Sequence, residues 1–586
     1  MRVLFGDCTF DSDARTLTCG GEPVRISGKA FQLLEMLIVA RPNPIEKSEL
    51  FSRLWPDTFV SEANLASLIK EIRAAIGDDA KAPRFVRTVH RFGYAFSAPA
   101  TETPEKSGLD SIAVLPFANR SGNPDLDYLA DGLAESLINT LASIEGLRVA
   151  PRASSFRYRD ADLAVVRREL NVRAALTGRV RVVGDAVNLQ VELIDLGKDA
   201  QLWGRQFQAP LRGIFALEEE LSRDVVTALR VRITGETDRR LRKRYTESSS
   251  AYQLYLKGRH HWNRRTVEGI ERAIFFFESA IDADAAYAPA YSGLADCYIA
   301  LASRDLYPPL QLMPKAEAAA RRALDLDNEL SEAHASMGAI HEVFHWRWEQ
   351  AQEEYLTALR LNPGYVTARQ WYALALAHRG RNAEALAQMS VAAESDPLSF
   401  MLNANTAVIH YLGRAYAEAE EFCHRALEIN PHHEPAHFTL GLAHQQRGRT
   451  DEAHAELEKA LAISRGEPHV VAALGALERS RARLEALAEL SLTRDVSPVH
   501  FATVHAALGE PEEALRWLNR AVETRSGWLV YLATEPRFDS LRGDDRFAAI
   551  VRSVDATLVV SSRASGVGSP ADGGASPQEI PRSRAE

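Results

Sequence analysis

The sequence predicts a multidomain protein with an N-terminal α+β domain, a central α/β module and a C-terminal all-α repeat array. Its 586 residues exceed what one hydrophobic core usually serves, since a domain averages roughly 150 residues. Residues 1–97 combine short alternating runs with short amphipathic helices. Residues from 251 onward are almost entirely helical in pattern and repeat at a fixed interval.

The composition is that of a globular protein, with 46% apolar and 25% charged residues. The longest clean apolar runs, such as residues 33–40, are far shorter than the ~20 residues that a bilayer span needs. We therefore expect a soluble, cytoplasmic protein without membrane contact. The net charge of −10 argues against general coating of nucleic acid, but residues 1–97 carry 13 basic and 12 acidic residues. Any contact with DNA is expected to be confined to a small patch.

Four cysteines are scattered along the chain without CxxC spacing: Cys8, Cys19, Cys297 and Cys423. So few cysteines are not enough for a disulfide framework, and their number is consistent with a reducing cytoplasm. We expect all four to be buried, reduced thiols.

The first domain is expected to begin with strands and continue with helices. Predicted strands cover residues 3–10 and 15–26 around a turn at Gly20-Gly21, and predicted helices cover 29–40 and 46–54. Pro56 prevents the second helix from continuing, and Ser61 is a suitable N-cap for a third.

The third helix carries one apolar stripe. At 100° per residue Leu65, Leu68, Ile69, Ile72 and Ile76 fall within about 100° of arc. The opposite face is therefore free for small and polar residues. Small residues let a helix enter a major groove, and longer polar side chains reach base edges and phosphates.

A hairpin with interleaved cations is predicted to follow, at residues 81–96, which we call the wing. Such a ribbon places cations along phosphates or into a minor groove. The predicted DNA-contacting residues are Asn64, Ser67, Lys70, Glu71, Arg73, Lys81, Arg84, Arg87, Thr88, His90 and Arg91.

These residues resemble the winged helix-turn-helix DNA-binding domain of OmpR- and CadC-type transcriptional regulators. The resemblance rests on Glu-Pro-Val at 22–24, Leu-Trp at 54–55, Ile-Gly-Asp-Asp at 76–79 and Arg-Thr-Val-x-x-x-Gly-Tyr at 87–94. It covers nearly all of residues 3–97 and implies binding of double-stranded DNA.

Three departures qualify what the resemblance implies. No phospho-accepting receiver precedes the domain, and no transmembrane helix of the CadC kind follows it. We therefore expect a soluble one-component regulator without aspartyl phosphorylation. His90 stands where the family usually has arginine directly after Thr-Val, which weakens the expectation of a minor-groove contact there.

Residues 98–110 have a linker composition, and residues 111–246 mix strands and helices. Val187, Leu189, Val191 and Leu193 alternate with polar residues after a Gly184-Asp185 turn. Ser-Ile-Ala-Val-Leu-Pro-Phe at 111–117, Tyr-Leu-Ala-Asp-Gly-Leu-Ala-Glu at 128–135 and Leu-Trp-Gly-Arg-Gln-Phe at 202–207 resemble the α/β module of many bacterial regulators. That module is related to TolB N-terminal and FlgO domains, occurs in proteins labelled adenylate cyclase, and implies no particular chemistry.

Residues 247–555 are predicted to form a tetratricopeptide solenoid. Pro363, Pro397 and Pro431 lie 34 residues apart, and Ala385, Ala419 and Ala453 keep the same interval. A helix pair of this length buries its apolar face only against neighbouring pairs. We expect about six units, followed by a disordered tail at 556–586.

Two acidic patterns raise a metal hypothesis. The run His341-Glu-Val-Phe-His345 matches H-E-x-x-H, but it falls within the repeat register and no third ligand is evident. Asp127, Asp131 and Glu135 share a helix face, for which a solvated first turn is the simpler interpretation. The chain has no GxxxxGK[ST] and no Gly-x-Ser-x-Gly, so we predict neither an enzyme nor a cofactor.

Two hypotheses follow for the whole chain. In the first, residues 1–97 bind promoter DNA, while the module and the repeats take a protein, a peptide or a small ligand and possibly form a homodimer. In the second, the chain is a non-catalytic scaffold whose winged helix contacts protein. The basic wing favours the first. Dimerisation on tandem half-sites and occlusion of the recognition helix both stay open as ways of regulation.

Overall fold

The computed structural model forms two compact units, Met1–Gly108 and Leu109–Glu586. The residues that the structure describes are 2–12, 16–20, 22–24, 26–54, 62–89, 92–97, 101–102, 109–144, 146–229, 243, 245–264, 266–303, 307–396 and 399–554. The architecture is the predicted one: a winged helix, an α/β module and a helical repeat array.

The first unit consists of two small sheets around three helices. Its strands are β1 Arg2–Phe5, β2 Cys8–Asp11, β3 Thr16–Cys19, β4 Glu22–Pro23, β5 Ile45–Glu46, β6 Val86–Val89, β7 Gly93–Phe96 and β8 Thr101–Glu102. Its helices are α1 Gly28–Ala40, α2 Lys47–Leu54 and α3 Glu62–Ile76. The sheet orders are β4-β3-β2-β1-β8 and β5-β7-β6.

Two details of this unit differ from the sequence-based expectations. The predicted strand at 3–10 is two strands, because Gly6 adopts a φ of +54° and turns the chain between β1 and β2. Thr101 and Glu102, inside the predicted linker, pair with Leu4 and Val3 at the open edge of β1. The expected turn at 55–60 and the N-cap Ser61 lie outside the described residues.

The expectation of four reduced thiols is wrong for Cys8 and Cys19. The two residues face each other across the β2–β3 pair, with Cα atoms 4.0 Å apart, and are joined by a disulfide. The sequence signal was the hairpin itself, since antiparallel pairing brings opposite side chains together. Cys297 and Cys423 are buried, as predicted.

The second unit opens with the α/β module. Its strands are β9 Ser111–Val114, β10 Ala118–Asn119, β11 Arg148–Val149, β12 Ala174–Val183, β13 Ala186–Asp195 and β14 Ala200–Pro210. Its helices are α4 Asp127–Ala142, α5 Arg152–Ser155, α6 Leu163–Leu170 and α7 Ile214–Leu229. The sheet runs β11-β9-β12-β13-β14, with β10 beside β12. The predicted alternation of Val187 to Leu193 is the buried face of β13.

Eight helix pairs follow within the described residues. They are α8 Ser249–Trp262 with α9 Val267–Ala283, α10 Ala288–Ala302 with α11 Pro309–Leu326, α12 Ser331–Ile340 with α13 Trp348–Leu361, α14 Val366–His378 with α15 Asn382–Ser395, α16 Phe400–Leu412 with α17 Tyr416–Ile429, α18 Glu434–Gln446 with α19 Thr450–Ser464, α20 Pro468–Glu478 with α21 Arg481–Leu490, and α22 Pro498–Leu508 with α23 Pro511–Glu523. The sequence predicted about six units, fewer than the described residues form.

The small residues of the repeat have the packing role that the sequence predicts. Ala385, Ala419 and Ala453 are fully buried. A Cβ built on Gly338 would lie 2.8 Å from the ring of Tyr355, and one on Gly441 would lie 2.7 Å from Leu457. The two helices of a pair therefore pack too closely at these glycines for a larger residue.

The first helices of successive pairs contact one another from α8 through α22. They form one continuous surface, which we call the first-helix surface. After α23 the chain makes two 3-10 turns, Gly527–Tyr531 and Pro536–Leu541, and ends its described part with α24 Asp545–Val554. In the part of the chain that the structure describes, no helix is both long and apolar enough to cross a membrane.

Candidate DNA-binding surface

Helix α3 has one buried and one exposed face. Leu65, Ile69 and Ile72 are at most 2% exposed and lie in the core of the first unit. Asn64, Ser67 and Lys70 are exposed on the other side. The predicted apolar stripe thus fixes the helix on the core and leaves these three side chains free.

Glu71 holds α3 to the start of α1. One carboxylate oxygen accepts a hydrogen bond from the backbone N–H of Ser27 at 2.6 Å, and the other accepts one from the Ser27 hydroxyl at 2.9 Å. Ser27 is itself the N-cap of α1, since its hydroxyl accepts from the N–H of Ala30. The predicted contact residue Glu71 is therefore bonded within the domain.

Arg73 connects α3 to the wing. Its guanidinium donates to the carbonyl of Val86 at 2.7 Å and to the hydroxyl of Thr88 at 3.2 Å. Both acceptors lie in β6, so the side chain sets the distance between the helix and the first wing strand. Arg73 and Thr88, both predicted to contact DNA, are hydrogen-bonded to each other.

Asp78 holds the backbone that leads into the wing, a role that the sequence did not indicate. Its carboxylate accepts hydrogen bonds from the backbone N–H groups of Arg84, Phe85 and Val86, at 2.6, 3.2 and 2.8 Å. The side chain is 9% exposed. The signal was present in the Gly77-Asp78 pair, because Gly77 with a φ of +65° ends α3 and turns the chain back.

The wing itself is the antiparallel pair β6–β7, with Arg87 opposite Ala95 and Thr88 opposite Tyr94. Gly93 is required in β7, because a Cβ there would stand 1.9 Å from the carbonyl oxygen of Ile45 in β5. Lys81, Arg84, Arg87 and Thr88 are exposed. His90 and Arg91 lie outside the described residues.

The cations of this surface are available to a polyanion. Among the described residues, Lys70, Lys81 and Arg87 form no salt bridge, and the Arg84 guanidinium lies over the Phe85 ring at 5.0 Å. An uncompensated cation on an exposed face is the group that replaces counterions along a phosphate backbone.

The glutamate of the H-E-x-x-H run is hydrogen-bonded within the protein. His341–His345 forms a π-helical turn. Glu342 is 4% exposed and binds the hydroxyl of Tyr355 at 2.8 Å and Nδ1 of His378 at 2.7 Å. The glutamate that a metalloprotease would use as a base is thus held by two protein groups.

The interpretation of Asp131 and Glu135 as a solvated first turn is wrong. Both are less than 9% exposed. Asp131 pairs with Arg159 at 2.6 Å, and Glu135 binds Arg259 at 2.5 Å, Arg152 at 2.8 Å and Asn263 at 2.7 Å. Burial alone would raise the pKa of Glu135, but Arg259 and Arg152 hold this pKa below its usual value. These carboxylates join the module to the first repeat.

One further group in the described residues has the geometry of a metal site. His454, Glu458 and Glu478 bring their ligand atoms within 4.8 Å of one another. Arg483 binds both carboxylates, at 3.1 and 2.9 Å. The guanidinium already binds both carboxylates and offsets part of their charge, so these residues form an ion-pair network.

Comparison with known families divides the chain in the same way. Residues 21–96 match the family described as "Transcriptional regulatory protein, C terminal". Residues 107–222 match "HilA/YgeH-like transcriptional regulator, second domain", and residues 413–477 match "Tetratricopeptide repeat".

Three curated proteins illustrate the likeness. The chain is 22% identical to transcriptional regulator HilA of Salmonella typhimurium over 404 residues, covering 68% of this chain and 71% of HilA. It is 38% identical to putative adenylate cyclase 3 of Rhizobium meliloti over 162 residues, covering 27% of this chain but only 28% of that protein. It is 30% identical to transcriptional regulatory protein PcoR of Escherichia coli over 89 residues, covering 15% of this chain and 39% of PcoR.

Proposed function

We propose that this chain, a DNA-binding transcriptional regulator with an OmpR/PhoB-type N-terminal domain, binds specific promoter sites through α3 and the wing. Helix α3 enters a major groove, where Asn64, Ser67 and Lys70 face the base edges and phosphates. The wing cations contact the neighbouring backbone.

The predicted contact residues divide into two groups by their bonds. Lys81, Arg84 and Arg87, together with His90 and Arg91, reach the DNA directly. Glu71 and Arg73 act as positioning residues, because their side chains bind Ser27 and the β6 strand. The Thr88 hydroxyl accepts a hydrogen bond from Arg73, so we assign Thr88 to both groups.

The observation that carries this proposal is the exposure of Lys70 directly opposite the buried stripe of α3. The exposed side chains of Lys70, Lys81 and Arg87 lie on the surface of the first unit without a carboxylate partner among the described residues. Such an arrangement fits a phosphate backbone.

The second unit is proposed to carry the regulatory input without catalysis. The repeats take a protein or peptide partner, and a homodimer on tandem half-sites is one way in which such input changes promoter occupancy. A regulator that contacts promoters acts in the cytoplasm. The module supplies the interior contacts of the first repeats, as the Glu135 network illustrates.

The test is selection of genomic fragments by the full chain, followed by footprinting, beside the double variant Lys70→Ala/Arg87→Ala. We expect a discrete protected site for the unmodified chain and its loss in the double variant. A folded chain that protects no fragment even at low salt would favour the non-catalytic scaffold instead.

A further inference from the structure

The first-helix surface is covered by the chain's own residues. At its N-terminal end the α/β module lies on it, since Glu135 of α4 binds Arg259 of α8 at 2.5 Å. Toward its C-terminal end the surface is covered by residues 525–541, which we call the C-terminal segment. The contacts of that segment reach five consecutive first helices.

The aromatic part of the C-terminal segment lies against histidines. Trp528 stacks on His469 of α20, with ring centroids 5.4 Å apart, and meets the edge of His500 of α22 at 5.0 Å. Tyr531, three residues later, contacts His378 of α14 at 4.4 Å. Two rings three residues apart therefore fill sites on three different first helices.

The two carboxylates of the segment are bound by a tyrosine and an arginine. Glu535 accepts a hydrogen bond from the hydroxyl of Tyr411 in α16 at 2.6 Å. Asp539 receives two hydrogen bonds from the guanidinium of Arg414, both 2.7 Å long. A fork of this kind matches the two oxygens of a carboxylate. The second carboxylate thus follows the first at an interval of four residues.

The contacts differ in exposure along the segment. Leu529, Leu532 and Phe538 are at most 2% exposed, and Glu535 is 4% exposed. Arg414 and Asp539 keep 42% and 45% of their side chains in solvent. The segment therefore has a buried centre and an accessible edge where a competing chain can begin to replace it.

We infer that the first-helix surface from α14 to α22 is a peptide-docking site whose resident occupant is the C-terminal segment. Its partner is a protein segment with the same order of groups: two aromatic residues three apart, then two carboxylates four and eight residues after the second ring. The inference deepens the protein-partner part of the proposed function and does not depend on DNA binding. A tethered occupant acts at an effective concentration of about millimolar, so a partner must displace it.

The test uses a labelled peptide with the sequence of residues 525–541 and the full chain. In the variant Trp528→Ala/Asp539→Asn the surface is unchanged and only the resident segment is weakened. We expect the peptide to bind this variant at least about tenfold more tightly than the unmodified chain, because less of the tethered competitor remains bound. If the peptide binds neither chain, and circular dichroism shows that the variant is folded, the inference is overturned.

A charge reversal gives a second and independent readout. Exchanging the pair as Arg414→Glu/Asp539→Arg keeps an ion pair within the chain. The native peptide should then bind at least about fivefold more weakly than a peptide carrying Asp539→Arg, because its Asp539 carboxylate would face a second carboxylate at position 414. The matched control is Arg425→Ala, whose ion pair with Glu421 lies on the second helix α17 and should change neither peptide's affinity. Identical affinities of the two peptides for the exchanged chain would place the peptide elsewhere.

Both measurements are separate from promoter binding. A chain that fails to bind DNA but binds the peptide leaves this inference standing and removes the proposed function. A chain that binds DNA but not the peptide supports the proposed function and overturns this inference.

Discussion

The guanidinium of Arg73 in α3 donates a hydrogen bond to the carbonyl oxygen of Val86 in β6, 2.7 Å away. The same nitrogen lies 3.2 Å from the hydroxyl of Thr88. The side chain of Arg73 therefore connects helix α3 to the wing, the two elements that we propose to contact the duplex.

Replacing Arg73 by Ala should loosen this connection without unfolding the domain. Loss of a charge-assisted hydrogen bond typically costs about 1.5–3 kcal/mol, so the wing amides should become less protected. Hydrogen exchange at Val86–Val89 measures this directly, and DNA affinity should fall with it. Arg53→Ala, which removes only an exposed pair with Glu49, is the control. Unchanged exchange in β6 would show that Arg73 does not position the wing.

Lys70→Ala should weaken DNA binding. If the ammonium contacts a base edge, affinity falls by about 1–3 kcal/mol; if it contacts a phosphate, the slope of log K against log salt flattens by about one unit. Titrations at several salt concentrations separate the two outcomes. Lys315→Ala, on α11 of the second unit, is the matched control. A variant with the same affinity and the same slope would remove Lys70 from the contact surface.

Glu135→Gln should destabilise the second unit. The carboxylate neutralises Arg152 and Arg259, whose side chains are 23% and 20% exposed, so its removal leaves two largely buried cations uncompensated. Breaking a buried ion pair in this way costs about 3–5 kcal/mol. Denaturant unfolding of the full chain gives the difference. Glu192→Gln, on the exposed side of β13, should have almost no effect, and an equal loss in both variants would contradict the prediction.

His433 should make the stability of the repeats depend on pH. Burial beside Phe400 lowers the pKa of its imidazole from 6.5 to about 4, so the folded state favours the neutral ring. The unfolded chain then binds more protons between these values, and the contribution of His433 is complete above pH 6.5 and is lost as pH falls toward 4.

The difference amounts to about 3 kcal/mol at most. It is measured as the change in unfolding free energy between pH 7 and pH 4.5, with His433→Gln as the non-titrating comparison. His261, whose pKa burial also lowers to about 4, remains in both chains and cancels. A pH dependence as steep in His433→Gln as in the unmodified chain would rule out this role.

The sequence predicted those parts of the fold that depend on local periodicity. The stripe from Leu65 to Ile76, the alternation of β13 and the interval of 34 residues all report which face of an element is buried. Each was confirmed because a helix or a strand carries its pattern within a few turns.

What the sequence missed depends on partners distant along the chain. Glu135 looks like a solvated helix residue until Arg259, 124 residues later, is brought beside it. Glu71 remains a predicted DNA contact, but its hydrogen bonds to Ser27, 44 residues earlier, could not be predicted from the local pattern. The C-terminal segment forms short 3-10 turns, and which first helices it covers follows only from the folded chain.

The covered first-helix surface changes how experiments on the repeats must be interpreted. In an open array, a substitution on that face reports on recognition of another molecule. In this chain the same substitution also removes support from the module or from residues 525–541. Alanine scanning of the array would therefore record losses of solubility and expression at many positions, and a drop in partner capture is meaningful only after the amount of correctly folded protein has been made equal.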